Sequence, residues 1–314
     1  MKIKKTAAVI AALALSVTSL AACNRDGGTG DATGDGDQTV SLLLSTLSNP
    51  FFVQLRDGAQ KEADALGITL EVLDAQDDAV TQTNQLNNAL STGADAVIVN
   101  PVDSDAVVPG VTGLLDGDVP VIAVDRGVTD VAVTSFVSSD NVQGGQLAGE
   151  ALAEAVSETG DVIVLQGIPG SSASRERGEG FNEGIAAFSD ISVAATQTAN
   201  FDRAEGLNVA TNLLQANPSV VGIFAENDEM ALGAIEALGA RAGDDVFVVG
   251  FDGTEDGLAA VSEGTMVATI AQQPEELGKL AVQQAKKALD GEEVTETVPV
   301  EVVAVTKENV ADFQ

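Results

Sequence analysis

From Thr39 onward, short β-branched runs alternate with longer segments of helical period, and this rhythm constrains the fold more than any other feature of the chain. Strands are expected near Val40–Ser45, Ile68–Leu73, Ala96–Asn100, Val119–Val124, Ala132–Ser138, Val162–Gln166, Ser192–Ala195, Val220–Ala225, Val246–Gly250 and Met266–Ala271. Helical segments include Phe51–Leu66, Asp77–Ser91, Asn141–Ala155, Arg203–Gln215, Glu229–Leu238 and Pro274–Leu289. Apolar runs of this length, separated by amphipathic stretches, predict parallel strands buried on both faces and covered by helices. About ten strands exceed what one open twisted sheet usually holds, so the expectation is an α/β protein with two sheets in two domains. No internal sequence repeat is visible.

Composition narrows the function by what it omits. The 314 residues include no His, no Trp, no Tyr and a single Cys. Ser-His-Asp and Cys-His catalysis are therefore excluded, together with the usual zinc ligands. The first strand leads into LSTLSNPFF, with no G-x-G-x-x-G, and no Walker A motif occurs anywhere. Carboxylate or lysine chemistry stays formally open, but most enzyme classes are excluded; the expectation is a protein that is not an enzyme and carries no cofactor. The formal charge of −33 becomes more negative still, at −36, if Lys2, Lys4 and Lys5 are removed with a leader. Such a chain repels nucleic acid and anionic lipid.

Those three lysines precede an apolar run, Ala7 to Ala22, that ends in Leu20-Ala21-Ala22-Cys23. A charged tip, a short apolar stretch and small residues before a cut site read as a secretory signal over residues 1–22. The Leu-Ala-Ala-Cys ending resembles a lipobox, which makes Cys23 the expected lipidation site; the thiol has no disulfide partner in this chain. Residues 23–38 then form a glycine-rich, charged segment expected to act as a flexible tether. The protein is expected outside the cell's cytoplasm, lipid-anchored on the outer face of the cytoplasmic membrane or in the periplasm.

In open α/β sheets, ligands sit beyond the carboxyl ends of the strands. Strand one runs into Asn49-Pro50-Phe51-Phe52 and strand four into Asp125-Arg126. Strand six leads into an expected loop, Gly167–Gly180, that contains Arg175-Glu176-Arg177. Later strands run into Phe201, Glu226-Asn227-Asp228, Phe251-Asp252-Gly253 and Gln272. Singly, each has a plain structural reading: the phenylalanines as core, Asn227 or Asp228 as a helix cap, the Asp and Arg side chains as surface pairs. Together, their repeated placement at strand ends points to a pocket. Aromatic rings suit the apolar faces of a sugar, while Asp, Asn and Arg suit its hydroxyls. Hydrogen bonds to charged partners contribute about 1.5–3 kcal/mol each.

Longer strings carry a resemblance. NPFF (49–52), DGAQKEADALG (57–67), SDAV (104–107), SSDN (138–141), RERGEGF (175–181), FDR (201–203), GLNV (206–209), FAENDEMALGA (224–234), VVGFDGT (248–254) and ATIAQ (268–272) resemble the D-ribose-binding proteins of bacterial ABC transport. These belong to the type I periplasmic-binding family, and the resemblance spans Val40–Val305. It implies two similar doubly wound, Rossmann-like lobes joined by a three-strand hinge. The lobes would be 39–139 plus 273–301 and 140–272 plus 302–314, with crossings near Ser139-Asp140, Gln272-Gln273 and Glu301-Val302. It also implies a sugar held by Phe51 and Phe201, with Phe52 alongside and Asn49, Asp125, Arg126, Arg177, Asn227, Asp252 and Gln272 on the hydroxyls. The implied partners are D-ribose and the membrane permease subunits of an importer, with the receptor itself a monomer.

A sugar-responsive transcriptional regulator shares this two-lobe core, but the chain has no helix-turn-helix, and its export signal and charge oppose DNA binding. A receptor of the same fold tuned to allose or to a furanose-like signal such as autoinducer-2 is the nearer alternative. A chemotaxis co-receptor role is compatible with either.

Overall fold

The computed structural model describes residues 38–314; the expected signal, Cys23 and the tether through residue 37 lie outside the described residues. Two six-stranded sheets organise the chain. The first contains β1 (Thr39–Leu44), β2 (Thr69–Asp74), β3 (Ala96–Val99), β4 (Val121–Val124), β5 (Ser135–Ser139) and β11 (Thr297–Val300). The second contains β6 (Thr159–Gln166), β7 (Asp190–Thr198), β8 (Val220–Ala225), β9 (Phe247–Asp252), β10 (Ala268–Ala271) and β12 (Val303–Thr306).

The spatial orders are β11-β5-β4-β3-β1-β2 and β12-β10-β9-β8-β6-β7, so both lobes follow the same doubly wound path. Every pairing is parallel except β10 with the edge strand β12. In each lobe the order reverses beside the first strand, at β1/β3 and at β6/β8, which opens a crevice at the carboxyl ends.

Helices cover both faces of each sheet. On the first sheet α1 (Pro50–Leu66) and α9 (Pro274–Leu289) pack against one face, with Leu42, Leu44, Leu55, Ile98, Leu277 and Val282 in one apolar cluster. Helices α2 (Ala79–Thr92) and α3 (Val108–Asp116) cover the other face through Leu86, Val97, Val99, Val111 and Leu114. On the second sheet α4 (Asn141–Ala155) and α5 (Ser172–Ile185) lie on one face around Phe181, Phe224 and Phe251. The opposite face carries α6 (Arg203–Ala216), α7 (Asp228–Leu238) and α8 (Glu255–Glu263). The apolar strands, buried on both faces, are thus the reason the sheets form between helical layers.

The chain passes between the sheets three times: from β5 into α4, from β10 into α9, and directly from β11 to β12. These passages are tied to one another. The Asp140 amide donates to the Val300 carbonyl at 3.3 Å, and Gln273 Nε2 donates to the Glu301 carbonyl at 3.0 Å.

Three expectations need correction. Residues 172–180, read as part of a loop, are the first turns of α5. Their glycines signal close packing instead of a turn: a Cβ on Gly180 would stand 2.0 Å from the Val142 carbonyl oxygen, and one on Gly145 would stand 2.3 Å from that of Arg177. The helices α4 and α5 approach backbone to backbone because those side chains are missing. The strand tally was also short, since β11 and β12 complete the two sheets. Finally, the sheets are not wholly parallel, because β12 continues from β11 after only two residues and its direction follows from that crossing.

Candidate functional site

At the crevice between the lobes, side chains from both line one cavity with an empty volume of about 240 Å³. Its walls are Asn49, Phe51, Phe52, Asp125, Arg126, Ala173, Arg177, Phe201, Asn227 and Asp252. Nine of the ten sugar-site candidates therefore meet at one place. Gln272 is not among the lining residues; it stands behind Asp252, donating Nε2 to Asp252 Oδ1 at 2.8 Å.

The first lobe contributes its share from the ends of β1 and β4. Asn49 caps α1, its Oδ1 accepting from the Phe51 amide at 2.9 Å, and Pro50 starts the helix with a pre-set φ. The first turn thereby carries Phe51 and Phe52 into the crevice, with their rings edge to face at 5.1 Å. Both rings also belong to the apolar cluster under α1, so they are core residues and cavity wall at once. Beyond β4, Asp125 adopts a φ of 65° and turns its carboxylate inward. Asn100 at the end of β3 supports it, with Nδ2 donating to Asp125 Oδ2 at 3.0 Å and Oδ1 accepting from the Ser45 amide at 3.2 Å. Arg126 donates Nη1 to the Pro101 carbonyl at 3.1 Å and lies 5.2 Å from the rings of both Phe52 and Phe201.

The second lobe mirrors this arrangement. Arg177 projects from α5, with Nε donating to Asn141 Oδ1 at 2.9 Å and Nη1 to the Glu226 carbonyl at 2.7 Å. Its guanidinium also lies 3.9 Å from the centre of the Phe251 ring. Asn227 caps α7 through Oδ1, which accepts from the Met230 amide at 3.0 Å, and its Nδ2 donates to the Phe201 carbonyl at 3.2 Å. Phe201 has a φ of 60° and Asp252 one of 126°. For a bulky residue such as Phe, this backbone is rare and costs roughly 1–3 kcal/mol. With Asp125, three wall residues share it, and strain of this kind concentrates where a ligand is gripped.

Electrostatically the cavity holds two cations and two carboxyls almost out of water. Asp125, Arg126, Arg177 and Asp252 are all 5% exposed or less. The Arg126–Asp125 and Arg177–Asp252 pairs each sit at 3.6 Å, beyond hydrogen-bond range, so neither pair consumes its partner's directional capacity. Arg126 Nε and Gln272 Oε1 have no hydrogen-bond partner among the described residues. Burial raises the Asp125 carboxyl above its ordinary range, opposed by Arg126, Arg177 and the Asn100 bond. Burial likewise pushes Asp252 well above the usual carboxylate value, Arg177 opposing and Asp228 reinforcing it. The same desolvation pulls Arg126 down, with Asp125 as the chief counterweight. Burying ionised groups in loose pairs is unfavourable by itself. Fixed donors and acceptors left unsatisfied around a small cavity are what a polyhydroxylated ligand would complete.

The lobes also touch directly beside the cavity. The Ser104 amide donates to the Gly170 carbonyl at 3.0 Å, the Ser172 amide to Ser104 Oγ at 3.3 Å, and the Gly127 amide to Ser172 Oγ at 2.9 Å. These bridging residues, and the supporting Asn100, were not singled out in the sequence. Asn100 had a signal, since a polar residue ends an apolar run just as Asp125 does; the serines had none, because their partners lie in the other lobe.

Comparison with known proteins follows the same lines. A family model described as a periplasmic binding protein domain matches residues 40–293. The ribose import binding protein of Escherichia coli (strain K12) is 46% identical over 308 residues, covering 98% of this chain and 100% of that one. Its counterpart in Bacillus subtilis (strain 168) is 41% identical over 299 residues, 94% and 96% of the two chains. Among solved structures, an ABC transporter periplasmic solute binding protein from Actinobacillus succinogenes with bound D-allose superposes with a TM-score of 0.83 at 34% identity, covering 88% of this chain and 100% of that one. A solute binding protein from Bacillus halodurans with bound myo-inositol gives 0.85 at 34% identity, over 90% and 99%.

Proposed function

This chain belongs to the periplasmic binding protein family, and from that premise we propose that it is an extracytoplasmic receptor that captures D-ribose between two lobes and delivers it to an ABC importer. It is a binding protein and not an enzyme. The observation that carries the reading is a cavity walled by buried charged, amide and aromatic side chains from both lobes. Its assignment to ribose draws on the ribose import proteins at 41–46% identity over nearly the whole chain.

In this reading Phe51 and Phe201 face the apolar sides of the sugar ring, with Phe52 alongside. Arg126 and Arg177 donate to its oxygens, Asp125 and Asp252 accept from its hydroxyls, and the Asn49 and Asn227 amides supply the remaining contacts. Gln272 holds Asp252 and offers its unpartnered Oε1 to a hydroxyl. A wrong epimer leaves one of these buried groups unpaired, and that penalty supplies selectivity.

The lobes assigned are 39–139 with 273–301, and 140–272 with 302–314, hinged at the three crossings. A ligand that touches both lobes binds the closed form better and shifts the population there, where the serine bridges also form. The closed face is what membrane permease subunits would recognise, and the receptor acts as a monomer. Lipidation at Cys23 would keep it at the outer face of the cytoplasmic membrane; mass spectrometry of the N-terminus isolated from host membranes tests this, and an unmodified Cys23 sinks it.

Isothermal calorimetry on residues 38–314 with ribose, allose, xylose, arabinose, galactose and glucose tests the assignment. Allose is included because a solved relative carries it. One-to-one ribose binding with glucose and galactose silent is the expected outcome. Silence from ribose with heat from another sugar overturns the specificity.

A further inference from the structure

The string Ser138-Ser139-Asp140-Asn141 carries the first crossing, and none of these residues lines the cavity. Asn141 opens α4 just past that crossing and is only 2% exposed. Its side chain does not cap the helix, because Asp140 Oδ1 takes that place by accepting from the Gln143 amide at 3.0 Å. A buried amide with no capping role has its hydrogen bonds elsewhere. Asn141 Oδ1 accepts from Arg177 Nε at 2.9 Å, and its Nδ2 donates to Glu176 Oε2 at 3.1 Å. An arginine only donates and a carboxylate accepts, so these two neighbours admit one orientation of the amide. The contact exists because α4 and α5 meet at Gly145 and Gly180 with no side chain between them.

This bond sets the angle of a residue in the cavity wall. Arg177 Nη1 donates to the Glu226 carbonyl at 2.7 Å, and the guanidinium lies 3.9 Å from the centre of the Phe251 ring. The Glu226 carbonyl is itself held in place, since the side chain of that residue accepts from the Gly167 amide at 2.7 Å through Oε2. A planar group with Nε and Nη1 both tied cannot swivel, and Nη2 takes no protein acceptor among the described residues. Asn141, Glu176, Arg177, Glu226 and Phe251 all belong to the lobe assigned to 140–272, so the first lobe has no part in this hold.

We propose that Asn141 is a positioning residue for the sugar: it fixes the Arg177 guanidinium before the lobes close, and Glu176 fixes Asn141 in turn. This rests on the reading of the cleft as a ribose site. A donor already held at its binding angle loses little freedom on capture, whereas a free one must be ordered at that moment and affinity falls. Without the Asn141 side chain, Arg177 Nε loses its acceptor and the guanidinium swings toward the water of the open cleft. Capture must then return it to a dry wall with one N–H unpaired.

The test is ribose calorimetry on the wild type, N141A, N141D and the double variant N141D/E176Q, with ligand-free melting curves to show that the proteins compared are folded. Asn141→Ala should weaken ribose binding on the order of tenfold. Asn141→Asp keeps an acceptor for Arg177 but sets a second carboxylate against Glu176, and should weaken binding by a similar factor. In N141D/E176Q the amide stands at position 176 and donates to the carboxylate at position 141, with the formal charge of the wild type restored. Affinity should recover to within about threefold of the wild type. Two substitutions that only disturbed packing would add their losses and restore nothing. Where N141A fails to fold, N141D and the double variant carry the test. An N141A protein that binds within about twofold of the wild type, or an N141D/E176Q protein no tighter than N141D, leaves the ribose assignment standing and overturns the role of Asn141. No ribose binding by the wild type overturns both.

Discussion

Replacing Gly167 with Ala adds one methyl group at the point where the cleft is most tightly built. A Cβ at this position would lie 2.0, 2.3 and 2.4 Å from three carbons of the Phe201 ring. Carbon atoms prefer about 3.5–4.0 Å, so the ring must retreat by about 1.5 Å. In the closed form it has little room to do so, because the Arg126 guanidinium of the opposite lobe lies 5.2 Å from its centre. The Phe201 backbone cannot absorb the shift easily either, since it is already at a φ of 60° and its carbonyl is held by Asn227. With the lobes apart, Arg126 withdraws and the ring can swing toward solvent. The penalty, about 1–3 kcal/mol for an overpacked site, thus falls on the closed, sugar-bound form. In affinity this is roughly a 5- to 150-fold loss of ribose binding. The Gly167 amide still reaches Glu226 in the variant, so that bond is preserved. Gly113→Ala on α3, where the nearest atom to an added Cβ is 3.8 Å away, serves as the control and should bind as the wild type does. Calorimetric Kd values with melting curves of the ligand-free proteins separate a cleft effect from general destabilisation. A G167A protein that binds ribose within about twofold of the wild type would refute the argument that Gly167 positions Phe201.

Arg177→Ala should abolish ribose binding and lower ligand-free stability by about 3–5 kcal/mol, because Asp252 loses its counter-charge in a buried site; an unchanged denaturation midpoint would contradict this. Ser104→Ala and Ser172→Ala each remove one bond between lobes and touch no wall residue, so each should weaken ribose about fivefold with little change in ligand-free melting. Wild-type affinity in both would mean that the bridges do not contribute to closure. Burial raises Glu226 to about 7 and Asp228 to about 6, so the folded protein holds protons that the unfolded chain releases. Their stabilising contribution is full below the ordinary carboxyl values and is lost as the pH rises through about 7, with Glu226 alone accounting for at most about 3 kcal/mol. The ligand-free melting temperature should therefore fall between pH 5 and pH 8 even in about 0.5 M salt, which screens the repulsion among surface acids; a flat or rising profile would overturn the sign.

The strands and the polar residues that end them were legible because both follow from local pattern: a β-branched run buried on two faces, then an Asn, Asp or Phe where the backbone leaves the sheet. Asp125, Asn227 and Asp252 are of this kind. Helix α5 was not legible, since Gly178, Gly180 and Gly184 signal a breaker locally, while in the fold Gly180 and Gly184 admit the backbone of α4 and Gly178 faces Glu226. Strand β11 was hidden by its composition, TVPV behind a run of glutamates; a Pro is tolerated there because β11 is an edge strand. The supporting contacts were out of reach for another reason. Asn100 meets Ser45 and Asp125, and Glu226 meets Gly167, across 25 to 59 residues of chain, so only the folded sheets bring them together. For Gln272 the strand-end position was legible, while its bond to Asp252, 20 residues earlier, appears only in the fold.

The central claim is that one sugar is held between the lobes by the residues of the cavity, and a crystal structure of the protein grown with D-ribose tests it most directly. The account predicts a single ribose enclosed by Phe51, Phe52 and Phe201, within hydrogen-bond distance of Asp125, Arg126, Arg177, Asn227 and Asp252. Ribose bound elsewhere on the surface, or a cleft that stays empty at saturating sugar, would contradict it.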